Sequence, residues 1–119
     1  MARVLVVDDD QTDRRILGNI VDGMGHEVYC ASGGEEALGI YLRRGIDIVV
    51  TDLQIPDGNG LELIEALRPL LPEPVIIVVS GKGPELLAEA ESKGVFAALS
   101  KPIELVEFIE TLSQAAHDV

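Results

Sequence analysis

The chain has 119 residues, of which 47% are hydrophobic and only 3% aromatic, and its formal net charge is −12. This length suits one domain, so we predict a single domain over residues 1–119 with a core of aliphatic side chains. The negative charge repels nucleic acid and anionic membranes, which argues against both as direct partners, and it favours a divalent cation wherever carboxylates cluster.

A single cysteine, Cys30, excludes an internal disulfide, and we expect it to be a small buried apolar residue. No apolar run approaches the roughly 20 residues that a membrane span needs. The N-terminus, in which three residues precede a short apolar run and then acids, differs from a signal peptide. Together these features predict a cytoplasmic protein.

The first half of the chain predicts two strand–helix units. Val4–Val7 is a short apolar run of the kind that forms a buried strand. Thr12 is expected to cap the helix that follows, and Gly25 to end it. A second strand, His26–Cys30, leads into another helix, whose basic last turn is followed by Gly45.

The second half predicts three more units. Ile46–Thr51 contains consecutive β-branched residues, which indicates a strand buried on both faces. Val75–Val79 and Val95–Leu99 are the fourth and fifth strands, separated by a helix over Glu85–Lys93, and an apolar helix ends the chain. Regular alternation predicts an α/β fold of the (βα)5 type: a doubly wound, five-stranded parallel sheet of order 2-1-3-4-5 with helices on both faces. The first, third and fourth strands are the most apolar and should be central.

Polar residues follow four of these strands directly. The first strand is followed by Asp8 and Asp9, the third by Asp52, the fourth by Ser80 and the fifth by Lys101. In a parallel sheet the carboxyl ends of the strands lie at one edge, where such folds place their ligands. Carboxylates crowded there would raise one another's pKa, so a cation has to relieve the repulsion. Mg²⁺ with oxygen ligands suits the acids, and Lys101 supplies a second positive charge.

Two positive centres beside one acid suit a phosphoryl group. A carboxylate such as Asp52 can accept that group to form an aspartyl phosphate, while the metal and the ammonium neutralise the transferring oxygens. Ser80 can donate a hydrogen bond to a phosphate oxygen, and Gly81 leaves room for the backbone to approach. We therefore predict Asp52, Lys101 and Ser80 as the residues that carry the chemistry.

In this order and at these strand ends, the residues resemble the receiver domain of two-component response regulators. The resemblance covers the chain from Arg3 to the last helix, and it rests on Asp8-Asp9, Asp52 followed by Pro56 and Gly60, Ser80-Gly81 and Lys101-Pro102. It implies that Asp52 takes a phosphoryl group from a histidine kinase phosphohistidine. It also implies a signalling switch rather than an enzyme, with self-catalysed phosphotransfer and slow hydrolysis as its only reactions.

The resemblance further implies a ligand set and partners. Asp9 would bind Mg²⁺ directly, Asp8 would bind it directly or through water, and Asp52 and the backbone carbonyl of Gln54 would complete the protein ligands. The phosphoryl donor would be a histidine kinase or a phosphotransfer domain. The partner that responds to phosphorylation would be a downstream effector, which would bind the face formed by the fourth helix, fifth strand and fifth helix.

One position departs from the family pattern. Receivers usually carry an aromatic residue three positions before the lysine, and its rotamer couples to phosphorylation, whereas this chain has Ala98 there. The nearest aromatic is Phe96, and strand alternation would put both side chains on one face. Phe96 is therefore the candidate replacement for that aromatic.

Three other interpretations fit parts of the sequence. Asp8-x-Asp10-x-Thr12 also looks like the first motif of haloacid-dehalogenase-type phosphatases, with Asp8 as the nucleophile and Asp10 as the acid–base, although Asp10 equally suits a helix cap. That reading leaves Asp52 without a role and lacks a later acidic pair at a strand end. A flavin-binding flavodoxin-type module and a docking receiver that is never phosphorylated are the remaining options. Finally, Leu105, Phe108 and Leu112 could contribute to a homodimer.

Overall fold

The computed structural model describes residues 1–56, 58–81 and 84–119. Five strands form one parallel sheet, and their ranges are β1 Arg3–Val7, β2 Glu27–Ala31, β3 Ile48–Thr51, β4 Val75–Ser80 and β5 Ala97–Ser100. They lie in the order β2-β1-β3-β4-β5, and each neighbouring pair is parallel. The predicted fold and strand order are therefore confirmed. A short antiparallel pair, Gln54–Ile55 with Gly58–Asn59, was not predicted.

The helices occupy both faces of the sheet. Their ranges are α1 Gln11–Gly23, α2 Gly34–Arg44, α3 Gly60–Leu67, α4 Pro84–Ser92 and α5 Leu105–His117. Along β1, Leu5 and Val7 face the core on the α2–α4 side, while Val4 and Val6 face the core beneath α1 and α5. This alternation follows from the two-residue period of a strand and gives the sheet two apolar layers.

The three most apolar strands are central, as predicted. All four residues of β3 are buried, as are the last five of β4, whereas β2 and β5 form the edges and are only partly buried. The prediction for Cys30 was wrong, because this residue lies on edge strand β2 and is exposed. A lone apolar-looking residue does not reveal whether its strand is central or at an edge.

The helix ends are set by local hydrogen bonds. The N-cap of α1 is Asp10, whose side chain accepts from the backbone N–H of Asp13 at 2.9 Å, so Asp10 rather than Thr12 is the cap. Gly45 follows α2 with a φ of 65°, a left-handed conformation that favours glycine.

Of the three residues predicted to contribute to a homodimer, Phe108 and Leu112 are fully buried in α5 and cannot line a dimer surface, whereas Leu105 is 52% exposed.

Strand and helix boundaries differ from the sequence prediction by one or two residues. Two strands begin two residues later than predicted, because Ile46 and Asp47 precede β3 and Val95 and Phe96 precede β5. Within the ranges that the structure describes, no helix has both the length and the apolar character needed to span a bilayer.

Candidate functional site

Four polar side chains are buried in the part of the chain that the structure describes: Asp8, Thr51, Asp52 and Ser80. All four lie at the carboxyl ends of the three central strands. The sheet ladder continues just beyond the strands, since the Asp52 N–H donates to the Val7 carbonyl at 2.9 Å. Burying acids costs free energy unless they are paired, so the fold must compensate them at this edge.

Lys101 provides that compensation. Its Nζ donates to Asp8 Oδ2 at 2.9 Å, to Asp52 Oδ2 at 2.9 Å and to Asp13 Oδ2 at 3.0 Å. The backbone of Lys101 is held as well, because its N–H donates to the Ser80 carbonyl at 2.9 Å. One cation from the end of β5 thus joins acids that follow β1 and β3, as strand-end convergence predicted.

Three carboxylates could share a metal ion. Oxygens of Asp8, Asp9 and Asp52 all lie within 4.8 Å of one another, and Asp9 is exposed while the other two are buried. Carboxylate oxygens are the ligands that a hard divalent cation prefers, and an exposed ligand leaves room for the waters that Mg²⁺ retains. The donor set therefore fits the cation that the sequence predicted.

The backbone around the two buried acids is fixed by hydrogen bonds. The Gln54 N–H donates to Asp52 Oδ1 at 3.0 Å, and the Thr51 hydroxyl donates to the Asp52 carbonyl at 2.9 Å. On the other side, the Arg14 guanidinium donates to the Asp8 carbonyl at 2.7 Å. These contacts hold the backbone of both acids and the carboxylate of Asp52. The predicted metal ligation by the Gln54 carbonyl stays a prediction.

Two glycines from the sequence motifs pack against the site. A Cβ on Gly60 would lie only 2.5 Å from the Asp52 carbonyl oxygen and 2.7 Å from the Leu53 Cα. Side chains are therefore excluded at Gly60, which lets α3 begin directly against the loop that carries Asp52. Gly81 lies beside the aliphatic part of Lys101, and a Cβ there would be 3.9 Å from the Lys101 Cβ, an ordinary contact.

Burial and pairing act on the charges in opposite directions. Burial raises the pKa of Asp8, and the hydrogen bonds from Lys101 and from the Asp10 N–H offset this only in part. Burial alone would lower the pKa of Lys101, but its hydrogen bonds to Asp8, Asp52 and Asp13 outweigh that effect and raise the pKa well above 10.5. Lys101 is consequently charged at any physiological pH.

The structure adds one residue to the predicted site and removes another from it. Asp13 was not among the predicted site residues, yet its carboxylate contacts Lys101; its place one turn after the Asp8-Asp9 pair was the available signal. Phe96 was proposed to replace the missing aromatic, but it lines a small cavity with Arg68, Glu73 and Gly94 at the amino ends of the strands. The whole of β5 lies between Phe96 and Lys101, so Phe96 cannot contact the site.

Comparison with known sequences and structures identifies the family. The family described as the response regulator receiver domain matches residues 4–113. The chain belongs to the response regulator receiver family. That membership argues against a flavin-binding module and against a haloacid-dehalogenase-type phosphatase. The phosphatase alternative also needed Asp10 as its acid–base, whereas Asp10 is the N-cap of α1.

Two relatives of this chain are much longer than the chain itself. The sensory/regulatory protein RpfC of Xanthomonas campestris is 31% identical over 96% of this chain, which spans 16% of RpfC. The DNA-binding transcriptional regulator NtrC of Azospirillum brasilense is 34% identical over 96% of the chain, which spans 24% of that protein.

Solved receiver structures match the fold over almost the whole chain. A response regulator receiver domain protein from Clostridium thermocellum has a TM-score of 0.91 at 26% identity, covering 99% of this chain and 96% of that one. The beryllofluoride-activated NtrC4 receiver domain dimer has a TM-score of 0.91 at 29% identity, covering 99% and 98%. The overall architecture is thus shared with receiver domains from several proteins.

Proposed function

We propose that this receiver domain is a phosphoacceptor switch in which Asp52 takes a phosphoryl group from a phosphohistidine. The observation that carries the proposal is the contact between Lys101 Nζ and Asp52 Oδ2, with Asp8 and Asp9 alongside. Asp52 is a buried acid that contacts Lys101 and lies within the acidic cluster, as Asp8 also does, and the receiver family supports Asp52 rather than Asp8 as the phosphoacceptor. It therefore has a positive charge on one side and a cation-binding set on the other.

The transfer itself needs no protein base. A carboxylate oxygen of Asp52 attacks phosphorus, a new O–P bond forms, and the N–P bond of the donor imidazole breaks. The electron pair of that bond goes to the imidazole nitrogen, which leaves as neutral histidine after taking a proton from solvent. The negative charge of Asp52 is replaced by that of the acyl phosphate, so the site must neutralise the transferring oxygens.

Each residue of the site has a part in that neutralisation. Asp8, Asp9 and Asp52, with the Gln54 carbonyl, would hold Mg²⁺, which when bound supplies positive charge to the phosphoryl oxygens. Lys101 is positioned by its backbone bond to Ser80, and its ammonium, which already contacts Asp52, neutralises the new phosphoryl group. Ser80, at the buried end of β4, donates its hydroxyl to a phosphoryl oxygen, and Gly81 leaves space beside Lys101.

The relatives suggest which proteins donate the phosphoryl group to this domain and which respond to its phosphorylation. A sensory/regulatory protein and a transcriptional regulator both contain sequences like this chain. We infer a histidine kinase or phosphotransfer domain as donor and a separate effector protein or domain as the responding partner. Leu105 and Val106 are more than half exposed at the start of α5. They form an apolar patch on the face of α4, β5 and α5, which we propose as the surface that binds the effector. Cytoplasmic location and homodimerisation stay predictions.

Incubation with Mg²⁺ and acetyl phosphate should add one phosphoryl group, a mass increase of about 80 Da, to the wild-type protein. Asp52→Asn should show no adduct, because the amide is not a nucleophile at this position. Intact-mass spectrometry measures both, and Asp47→Asn, which changes an acid just before the amino end of β3, is the matched control. An adduct that persists in Asp52→Asn would refute the assignment, and its absence from the wild type would favour the docking receiver.

Mg²⁺ should stabilise the unphosphorylated protein, because binding relieves repulsion that exists only when the acids are held together. At a Mg²⁺ concentration 100 times the dissociation constant, the free energy of unfolding rises by about 2.7 kcal/mol, which raises the melting temperature by roughly 10 °C. Thermal unfolding with and without Mg²⁺ measures it. Asp9→Asn should lose most of the increase, whereas Asp22→Asn, at the other end of α1, should retain it. Equal increases in both variants would place the metal elsewhere.

A further inference from the structure

Every N–H of the Lys101 ammonium already has a partner. An ammonium has three N–H donors, and in this structure they reach Asp8, Asp52 and Asp13 at 2.9, 2.9 and 3.0 Å. A phosphoryl group on Asp52 can take over the N–H that now reaches Asp52, but a second contact to that group requires Lys101 to give up Asp8 or Asp13. Which partner it gives up depends on what each carboxylate loses when the contact breaks.

Asp13 is the partner that loses least. The side chain of Asp8 is 1% exposed and that of Asp52 7%, whereas the side chain of Asp13 is 40% exposed. Water can replace Lys101 at Asp13 but not at Asp8, where an unpaired buried carboxylate would remain. The contact to Asp13 is therefore the one that can open.

Asp13 also opposes the phosphoryl group electrostatically. It adds a fourth carboxylate around the lysine and the Asp8, Asp9 and Asp52 set. A phosphoryl group on Asp52 carries negative charge a few ångströms away, in a half-buried site where screening is weaker than in water. Asp13 both occupies a donor that this group needs and repels the group itself.

We propose that Asp13 is a positioning residue that competes with a phosphoryl group on Asp52 for an N–H of Lys101 and thereby lowers the affinity of the site for that group. Resting on the proposed function, this gives Asp13 a defined effect: the phosphorylated state is less favourable than the rest of the site would make it. An asparagine at this position keeps the size of the side chain but removes the charge. It should leave Lys101 free to contact the phosphoryl group.

The test is the affinity for beryllofluoride, a non-covalent mimic of the phosphoryl group, at saturating Mg²⁺. Asp13→Asn should bind beryllofluoride roughly three- to tenfold more tightly than wild type, the range expected for one partly exposed ion pair. Titration followed by amide NMR measures the dissociation constant and shows whether the shifts centre on Asp52 and Lys101. Affinity equal to or weaker than wild type would overturn the proposal.

Two control variants test whether the effect depends on a negative charge at position 13 in particular. Asp22→Asn removes the same charge from the exposed end of α1 and should leave the affinity unchanged, so an equal gain there would show a net-charge effect and overturn the proposal. Asp13→Glu keeps the carboxylate and should stay close to wild type. If it instead matched Asp13→Asn, the charge would not be the cause.

The same titration distinguishes this proposal from the proposed function. If wild type failed to bind beryllofluoride, or if Asp52→Asn bound it equally well, the assignment of Asp52 would be wrong. If wild type bound it in a manner dependent on Asp52 and Asp13→Asn did not differ, only the role of Asp13 would be wrong. Thermal unfolding of each variant shows that a tighter affinity does not arise from a change in overall stability.

Discussion

Lys101→Met should lower the free energy of unfolding by roughly 3–5 kcal/mol when no divalent cation is present. Methionine keeps most of the apolar contacts of the side chain but removes the charge that pairs Asp8, Asp52 and Asp13. Two of those acids are buried, so the variant leaves carboxylates that neither a side chain nor water neutralises. Urea unfolding in the presence of a chelator measures the loss.

Mg²⁺ should reverse much of that loss. Because the positive charge of Lys101 repels a cation bound by the same acids, its removal should tighten Mg²⁺ binding and enlarge the increase in melting temperature beyond that of wild type. Phosphorylation by acetyl phosphate should nevertheless fall by about 10²–10³-fold, the range found when one charge-stabilising donor is removed. Stability restored without activity is the signature of a lysine that serves both the fold and the chemistry.

Lys93→Met is the matched control. Lys93 also forms an ion pair, with Glu65 at 3.0 Å, but the Glu65 side chain is 62% exposed. Such a pair contributes about 1 kcal/mol or less to stability, and Mg²⁺ should stabilise Lys93→Met as much as it stabilises wild type. A Lys101→Met protein as stable as Lys93→Met in chelator would show that the buried acids are neutralised in another way.

The pH dependence of the Lys101 contribution follows from its raised pKa. A cation with a folded pKa above its unfolded value stabilises fully below the unfolded value of 10.5 and loses this contribution only as the pH rises through the folded one. The destabilisation caused by Lys101→Met should therefore be present throughout the neutral range.

Gly60→Ala should be the most damaging single-methyl change near the site. The added Cβ would lie 2.5 Å from the Asp52 carbonyl oxygen and 2.7 Å from the Leu53 Cα, and backbone atoms cannot move aside as a flexible side chain can. Overpacking of this kind costs about 1–3 kcal/mol. The backbone shift also displaces the Asp52 carboxylate, and a misplacement of about 1 Å can cost about 10²-fold in rate.

Gly23→Ala provides the comparison, because it adds the same methyl group where nothing lies within 4 Å. At the last residue of α1, that change should be neutral or stabilise by up to about 1 kcal/mol. Thermal unfolding and acetyl phosphate labelling of both variants give the two readouts. If Gly60→Ala retained wild-type stability and labelling, the backbone around Asp52 would be less constrained than its contacts indicate.

The position of Asp52 illustrates what a strand pattern can predict. Ile48–Thr51 is a β-branched run, so it predicted a strand buried on both faces, and the residue after it had to lie at the carboxyl edge of the sheet. The same reasoning placed Asp8, Ser80 and Lys101 at that edge. Parallel topology makes these positions converge whatever the details of side-chain packing.

Asp13 and Phe96 illustrate what such a pattern leaves open. Asp13 is separated from Lys101 by 88 residues, and their contact depends on the length and direction of two side chains rather than on helical or strand period. Phe96 has the right alternation for a switch residue, but β5 begins only after it and places it towards the opposite end of the sheet. Exposure of Cys30 likewise depends on which strand ends at the edge.

The sequence by itself therefore determined the α/β architecture, the strand order and the set of strand-end residues, because each follows from local periodicity and from the geometry of parallel sheets. Only the tertiary structure decided how those residues are paired. It joined one ammonium to three carboxylates, one of them from α1, and packed Gly60 against the backbone of Asp52. Such pairings depend on how side chains from distant parts of the chain are placed relative to one another, which no local pattern encodes.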